Sequence, residues 1–274
     1  MAREANSPGP NSRIRLQNGQ IIVRRPLRLG LAATVHVVVL DATGDAGVYG
    51  RCLERDVHVV DPLVLRQARV IQYATGRYGK TTQAADEPTS GRLLGLARKI
   101  VQKHGTPDSP VAVVAFKGEH EKVARALEGT SYIRLAYWAT RGTNEVIEAG
   151  CRHIVLIGTP TPSPEDICAW EEARAANDQE LVEFGNHWVL RPYGRSRDDR
   201  AVEVLEYDDP RVQTAMQLER EGEMLQAAER IRTCIVGSAP KTVWLLTRHP
   251  VPGLVPDRLM HDIDYLPCEP GDAQ

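Results

Sequence analysis

The sequence predicts a three-layer α/β fold in which helices cover both faces of a mostly parallel sheet. Short β-branched runs alternate with helical stretches from residue 20 onward, the order typical of parallel strands joined by crossover helices. Several runs are apolar throughout, as expected of strands buried on both faces. The predicted strands are Val35–Asp41, Val57–Val60, Arg69–Tyr73, Val111–Phe116, Tyr132–Ala136, His153–Gly158 and Thr242–Thr247.

Helices are predicted between these strands from apolar stripes and end signals. In Gly91–His104 the apolar residues fall on one stripe, and Gly105 with Pro107 ends the helix. A capping serine begins the helix Ser163–Ala176, and a proline occupies its first position. The remaining predicted helices are Glu119–Leu127 and a long one from about Pro210 to Thr233.

The chain is expected to form one large domain with a polar leader and a tail. Residues 1–19 are expected to be a disordered leader, 20–260 the domain, and 261–274 a flexible tail. The Pro-rich chain from Pro250 onward is expected to be extended. Two further strands, His187–Arg191 and Val202–Tyr207, bracket a polar loop, so residues 185–208 read as an inserted β-hairpin.

Composition excludes several classes of protein. A net charge of −2 argues against bulk attraction to nucleic acid, although a local basic groove remains compatible with it. The five cysteines form no CxxC pair, so neither a metal site nor a disulfide framework is predicted. With neither a signal peptide nor an apolar run long enough to span a membrane, we expect a cytoplasmic protein with reduced cysteines and no membrane partner.

Two short polar segments follow predicted strands, where ligands meet a parallel sheet. Asp41 and Thr43 come directly after an apolar strand, and a simple strand-to-helix turn is the alternative interpretation. The segment Arg141-Gly142-Thr143-Asn144 precedes a short helix. Its guanidinium, hydroxyl and amide groups suit a phosphate at a helix start, and a plain capped turn is again the alternative.

A third candidate lies on the long C-terminal helix. At 100° per residue Glu223, Gln226 and Arg230 fall on one face, apart from an apolar stripe of Met224, Ala228 and Ile231. A face of this kind can present a cation to a phosphoryl group. A solvated face with an internal ion pair is the alternative.

A fourth segment resembles a phosphate-binding loop. Residues 74–81 end in Gly79-Lys80-Thr81 and follow a predicted strand, but Pro88 comes only seven residues later. Because such a loop must lead into a stable helix, a solvent-facing loop is the favoured interpretation.

In this order the segments resemble the second RecA-like domain of superfamily 2 (DEAD/DEAH-like) helicases of the phage or integrative-element type. The matching segments are Leu40–Thr43, the motif V form Arg141–Asn144, Ile157–Pro160 with its Gly-x-Pro ending, and the motif VI residues Glu223, Gln226, Arg230 and Arg232. The likeness runs from about residue 20 to 260 and implies a P-loop NTPase fold, with 20–43 as the remnant of an inter-lobe segment.

The resemblance implies the second motor lobe of an ATP-dependent helicase or translocase. Arg230 and Arg232 would be arginine fingers, Gln226 would couple nucleotide state to closure, and Asp41, Thr43 and Arg141–Asn144 would contact nucleotide. ATP and Mg²⁺ would be held mainly by a first lobe on another chain, because we expect the leader to be too short to form one. A replication or primase protein is a further expected partner.

Single-stranded or duplex DNA is the expected nucleic-acid partner, contacted by Arg77, Lys80 and Lys117. Two alternatives remain open. The chain could be a self-contained P-loop NTPase using Gly79, Lys80 and Thr81, or a non-catalytic interaction module derived from a helicase.

Overall fold

The chain divides into two compact units, each with its own core. The computed structural model describes residues 14–17, 19–23, 35–39, 44–53, 55–60, 65–74, 87–138, 143–175, 180–194, 201–235, 239–262 and 266. Unit 1 consists of Met1–Pro62, Pro162–Val189 and Val204–Gly222, and unit 2 of Leu63–Thr161, Leu190–Glu203 and Glu223–Gln274. The predicted domain over 20–260 therefore includes residues of both units.

Unit 2 is built on a six-stranded sheet of order β10-β3-β9-β6-β4-β5. Every strand pairing described within this sheet is parallel, which confirms the predicted α/β class with a mostly parallel sheet. Its strands are β3 (Ala68–Tyr73), β4 (Val111–Ala115), β5 (Tyr132–Ala136), β6 (His153–Ile157), β9 (Lys241–Leu246) and β10 (Arg258–Met260).

Helices cover both faces of this sheet, so the unit has three layers. Alternate residues of β4 point to opposite faces, and all five are buried. One face packs against α2 (Glu87–His104) and α3 (His120–Ala126). The other packs against α4 (Thr143–Glu148) and α7 (Glu223–Glu229). Burial on both faces explains why these strands read as unbroken apolar runs.

The C-terminal end of α2 depends on a glycine. Gly105 donates its backbone N–H to the carbonyl of Val101 across 2.8 Å. A Cβ at residue 105 would collide with the carbonyl oxygens of Ser131 and Val101. The predicted stop at Gly105 is confirmed, and close backbone approach is its physical reason.

Unit 1 has a small core between short helices. Its helices include α1 (Ala46–Leu53), α5 (Pro164–Arg174) and α6 (Pro210–Gln217). The Ser163 hydroxyl accepts a 3.1 Å hydrogen bond from the N–H of Asp166, which confirms the predicted cap of α5. The buried core residues are Ile167, Ala175, Val182, Tyr207, Val212, Ala215 and Met216.

Two separate two-stranded sheets complete the described strands. β7 (Asn186–Pro192) pairs with β8 (Ala201–Tyr207), which confirms strands where the inserted hairpin was predicted. β1 (Ile14–Gln17) pairs antiparallel with β2 (Gln20–Val23). β1 therefore lies inside the predicted disordered leader, and β10 inside the segment predicted to be merely extended.

The long C-terminal helix departs from the prediction. A π-helical segment, Leu218–Gly222, lies between α6 and α7, and the helical run ends at Glu229 rather than Thr233. Arg232 has a φ of 53°, a left-handed conformation that cannot continue a right-handed helix. The π turn carries more residues than an α turn, so it shifts the phase of the 3.6-residue pattern.

Two predicted strands are wrong over the residues that the structure describes. Residues 35–39 and 57–60 lie outside strands, and most of them are exposed. Both runs have high β-propensity, but propensity alone does not form a strand without a partner and a covering layer. The helices within the described ranges include none long and apolar enough to cross a membrane.

Candidate functional site at the carboxyl edge of the sheet

The order of the strands marks one place in the sheet as a crevice. The chain leaves β4 toward β5 on one side, and it leaves β6 toward β9 on the other. In open α/β sheets, ligands bind beyond the carboxyl ends of adjacent strands whose connections diverge in this way. The carboxyl ends of β4 and β6 therefore mark the candidate ligand-binding site.

Gly158 and Tyr137 join the ends of β6 and β5. Gly158 has a φ of 82°, a conformation open to glycine without steric cost. Its carbonyl accepts a 3.1 Å hydrogen bond from the buried hydroxyl of Tyr137. Tyr137 in turn donates its backbone N–H to the carbonyl of Ala115, the last residue of β4. These bonds fix the backbone on both sides of the crevice.

Hydroxyl groups pair beside the ends of β6 and β9. The side-chain oxygens of Thr159 and Thr247 lie 2.6 Å apart, and both residues are buried. The amide of Gln72, from β3, donates to the carbonyls of Thr247 and His249 at 2.9 and 2.8 Å. This network satisfies polar groups that would otherwise be costly to bury, and it makes this part of the edge rigid.

A buried ion pair between the first residue of α7 and the residue directly after this helix lies against the end of β5. The guanidinium of Arg230 donates a 3.0 Å hydrogen bond to the carbonyl of Ala136 and lies 3.6 Å from the carboxylate of Glu223. That carboxylate accepts a 2.6 Å hydrogen bond from the backbone N–H of Trp138. The pair thus holds the turn that leaves β5 at two points.

The buried setting shifts the pKa of two groups beside the pair. Burial lowers the pKa of Arg230, against the opposing effect of the Glu223 charge. Burial also raises the pKa of Tyr137, and the negative charge of Glu223 raises it further. Both effects favour the neutral hydroxyl, the form that donates the hydrogen bond to Gly158.

Trp138 is the exposed member of this arrangement. It has a φ of 55°, and 46% of its surface is exposed. Its ring centroid lies 6.4 Å from that of Phe116 and 6.2 Å from that of Tyr137. A bulky residue in the left-handed region is a genuine outlier, and such strain concentrates at functional sites.

The structure divides the motif VI residues predicted to act together. Arg230 and Glu223 are buried at the carboxyl edge, whereas Gln226 is exposed. The predicted polar face, with an amide and a guanidinium side by side, is therefore wrong in this respect. The predicted apolar residues Met224, Ala228 and Ile231 are all buried, although Ile231 lies beyond the end of α7.

Arg232 lies at the opposite edge of the sheet. Its carbonyl accepts a 2.7 Å hydrogen bond from the ammonium of Lys241, the first residue of β9. The next carbonyl, of Thr233, accepts from the N–H of Gln67 just before β3. A six-residue strand is about 17 Å long, more than an arginine side chain spans. The structure therefore does not bring Arg232 together with Arg230.

The other predicted ligand residues are only partly placed. Thr143 is the first residue of α4, and Asn144, which is exposed, is the second. Lys117 is exposed at the end of β4, in a short 3₁₀ turn. The residues that lie outside the described ranges are Asp41, Thr43, Arg77, Gly79, Lys80, Thr81, Arg141 and Gly142.

Sequence reasoning missed the aromatic residues of this site. Phe116 follows β4, and Tyr137 and Trp138 follow β5. Aromatic residues are only 5% of the sequence, so three of them directly after adjacent strands were a usable signal. No feature of the sequence predicted the left-handed backbone conformation of Trp138.

Comparison with known proteins identifies no relative. No family model matches the chain, and no match was found to a curated protein or to a solved structure.

Proposed function

We propose that this chain is the second RecA-like lobe of a helicase-type motor, with the P-loop NTPase fold. In this role it binds a nucleic-acid strand and acts with a nucleotide-binding lobe on another chain. The parallel three-layer fold supports the proposal, as does the position of Glu223 and the Arg230 guanidinium at the carboxyl edge of its sheet.

One observation carries the proposal. Glu223 and Arg230, the matches to motif VI, bond the backbone of Trp138 and Ala136. That backbone leads directly into the segment matching motif V, whose last two residues begin α4. The motif VI match therefore holds the turn that precedes the motif V match, at the edge where a parallel sheet binds ligands.

The described residues do not fit an independent Mg²⁺–ATP site. Of the carboxylates near this edge, Glu223 is engaged by Arg230 and Trp138, and Glu119 pairs with Lys122 at 3.1 Å. No group of three or more His, Cys, Asp or Glu residues within the described ranges could hold a metal ion. The proposal therefore leaves nucleotide and metal to the partner lobe.

Arg230 is assigned a positioning role instead of that of an arginine finger. To reach a phosphate it would have to leave both Ala136 and Glu223. Removing one partner of a buried ion pair costs about 3–5 kcal/mol, because the other charge is left uncompensated. The geometry instead favours an arginine that fixes the β5–α4 turn for contact with the strand.

The direct test is binding of labelled single strands by the purified chain, followed by fluorescence anisotropy. We expect salt-sensitive binding of a fluorescein-labelled dT20 or rU20. About three phosphate contacts to a single strand predict a loss of affinity of roughly twentyfold between 50 and 200 mM salt. Absence of binding to either strand at 50 mM salt would overturn the proposal.

A parallel titration with a fluorescent ATP analogue separates this proposal from a self-contained NTPase. We expect little or no ATP binding by the isolated chain. Tight binding that disappears in Lys80→Ala would instead assign the nucleotide site to the Gly79-Lys80-Thr81 segment and contradict the orphan-lobe proposal.

A further inference from the structure

We propose that Trp138 is a stacking platform for a nucleobase and that Lys117 contacts the adjoining phosphate. This inference rests on the proposed function, because it names the residues that receive a single strand. It goes beyond the motif residues, none of which is aromatic. The predicted phosphate contact of Lys117 becomes one part of a composite site.

The backbone of Trp138 is held in an unfavourable conformation that exposes the ring. A left-handed φ of 55° is rare for a bulky residue. Such a conformation persists only where surrounding contacts impose it. Here those contacts leave 46% of the residue's surface exposed to solvent. An apolar ring in this position loses hydrophobic stabilisation unless a ligand covers it.

The contacts that hold the Trp138 backbone in this conformation come from buried, charged side chains. The Glu223 carboxylate accepts the Trp138 N–H at 2.6 Å, and Arg230 neutralises that carboxylate from 3.6 Å. Hydrogen bonds to charged groups are stronger than those between neutral groups. The backbone of Trp138 is therefore fixed before a ligand arrives, which lowers the entropy lost on binding.

Two further aromatic rings lie close to the indole of Trp138. Phe116 is inclined to Trp138 by 36°, and Tyr137 meets it nearly edge-on at 61°. Both rings are buried. The three rings therefore form one aromatic cluster, of which the indole is the exposed member. Because every base has a π-face, such a surface binds single strands with little sequence preference.

A cation follows Phe116, whose ring centroid lies 6.4 Å from that of Trp138. Lys117 follows Phe116 in the chain and is exposed. An aromatic surface beside a cation matches the alternating bases and phosphates of a single strand. A purely apolar ligand would not require the cation.

The test compares variants with matched strands. Affinities for dT12 and for an abasic 12-mer with the same backbone are measured for wild type, Trp138→Ala, Trp138→Phe and Trp188→Ala. Trp188 is the matched control, since it is 52% exposed and belongs to β7. We expect Trp138→Ala to weaken dT12 binding between about fivefold and 150-fold. Trp138→Phe should retain most of the affinity, and Trp188→Ala all of it.

The abasic strand isolates the stacking contribution. It should bind wild type and Trp138→Ala alike, whereas Lys117→Ala should weaken both strands. If Trp138→Ala does not fold, Trp138→Gly takes its place, because glycine adopts the left-handed backbone without strain.

The outcomes separate the two proposals. Wild-type binding of dT12 with no loss in either Trp138 variant would overturn the stacking role and leave the proposed function intact. Equal affinity of wild type for dT12 and the abasic strand would also overturn the stacking role and leave the proposed function intact. Absence of wild-type binding to any strand would overturn both.

Discussion

The carboxylate of Glu223 accepts a 2.6 Å hydrogen bond from the backbone N–H of Trp138, 85 residues away in sequence. The same carboxylate lies 3.6 Å from the guanidinium of Arg230. One buried acid therefore links the start of α7 to the turn beyond β5. The backbone that carries the exposed indole is held by an ion pair that the solvent barely reaches.

Arg230→Ala is expected to destabilise the protein by about 3–5 kcal/mol. The change leaves Glu223 buried without its counter-charge and removes the 3.0 Å hydrogen bond to Ala136. Urea unfolding followed by circular dichroism measures the loss.

Gln226→Ala is the matched control for that change. Gln226 lies on the same helix but is exposed, so its replacement should alter the free energy of unfolding by less than about 0.5 kcal/mol. Equal losses in the two variants would contradict the buried-pair assignment.

Arg232→Gly is expected to stabilise the protein by up to about 1 kcal/mol. Arg232 has a φ of 53°, and the left-handed conformation costs a non-glycine residue roughly 1–2 kcal/mol. The greater freedom of glycine in the unfolded chain offsets part of the gain. Thermal unfolding measures the change.

The same Arg232→Gly variant tests the finger role suggested by the resemblance. Arg232 lies at the amino edge of the sheet, so strand binding by the isolated chain should be unchanged. If a complementing first lobe restores ATP hydrolysis, that activity should also survive the substitution. Loss of hydrolysis with unchanged folding would return Arg232 to the role of an arginine finger.

The sequence predicted the sheet well because its strands are buried on both faces. β5 was predicted with the bounds observed, and the neighbouring strands were correct to within one or two residues. The exposed runs 35–39 and 57–60 failed for the converse reason: the same residue types form no strand where no layer covers them. Apolar content identified burial here, and β-propensity alone did not.

The candidate site was predicted only in part, for reasons of geometry. The spacing of Glu223 and Arg230 placed them on one face of a helix, but it could not show that this face is buried. Arg232 follows Arg230 by two residues, yet its backbone bonds at the amino ends of β9 and β3, whereas the Arg230 guanidinium bonds at the carboxyl end of β5. The strand order that brings Trp138 beside Phe116 depends on tertiary pairing, which spacing in the sequence does not encode.

Cysteine labelling should distinguish Cys151 from Cys234. Burial raises the pKa of Cys151 to about 11, whereas Cys234 is exposed. Because the thiolate is the reactive form, Cys234 should react with iodoacetamide at pH 8 much faster than Cys151. Peptide mass spectrometry after timed labelling gives both rates, and denaturant should abolish the difference. Rapid labelling of native Cys151 would contradict the burial of this residue just before β6.

Acid should destabilise unit 1 through Asp209, the residue that caps α6. Burial opposes its ionisation, but hydrogen bonds from the Arg211 side chain and backbone outweigh that effect and hold the pKa of Asp209 at about 2. The Arg211 Nε and Nη2 atoms lie 3.0 and 2.6 Å from its carboxylate oxygens. A pKa below the ordinary value means that the folded state favours the charged form.

The resulting stability is fully present above the ordinary pKa of 3.8 and disappears as the pH falls toward 2. At neutral pH we expect the free energy of unfolding of wild type to exceed that of Asp209→Asn by on the order of 1–2 kcal/mol. This difference should shrink toward zero near pH 2. Urea unfolding of both proteins across this range measures it. Carboxyl NMR titration provides a second readout: Arg211→Met should raise the pKa of Asp209 by removing its guanidinium donors. A pH-independent difference between wild type and Asp209→Asn would show that the side chain caps the helix without stabilising it through its charge.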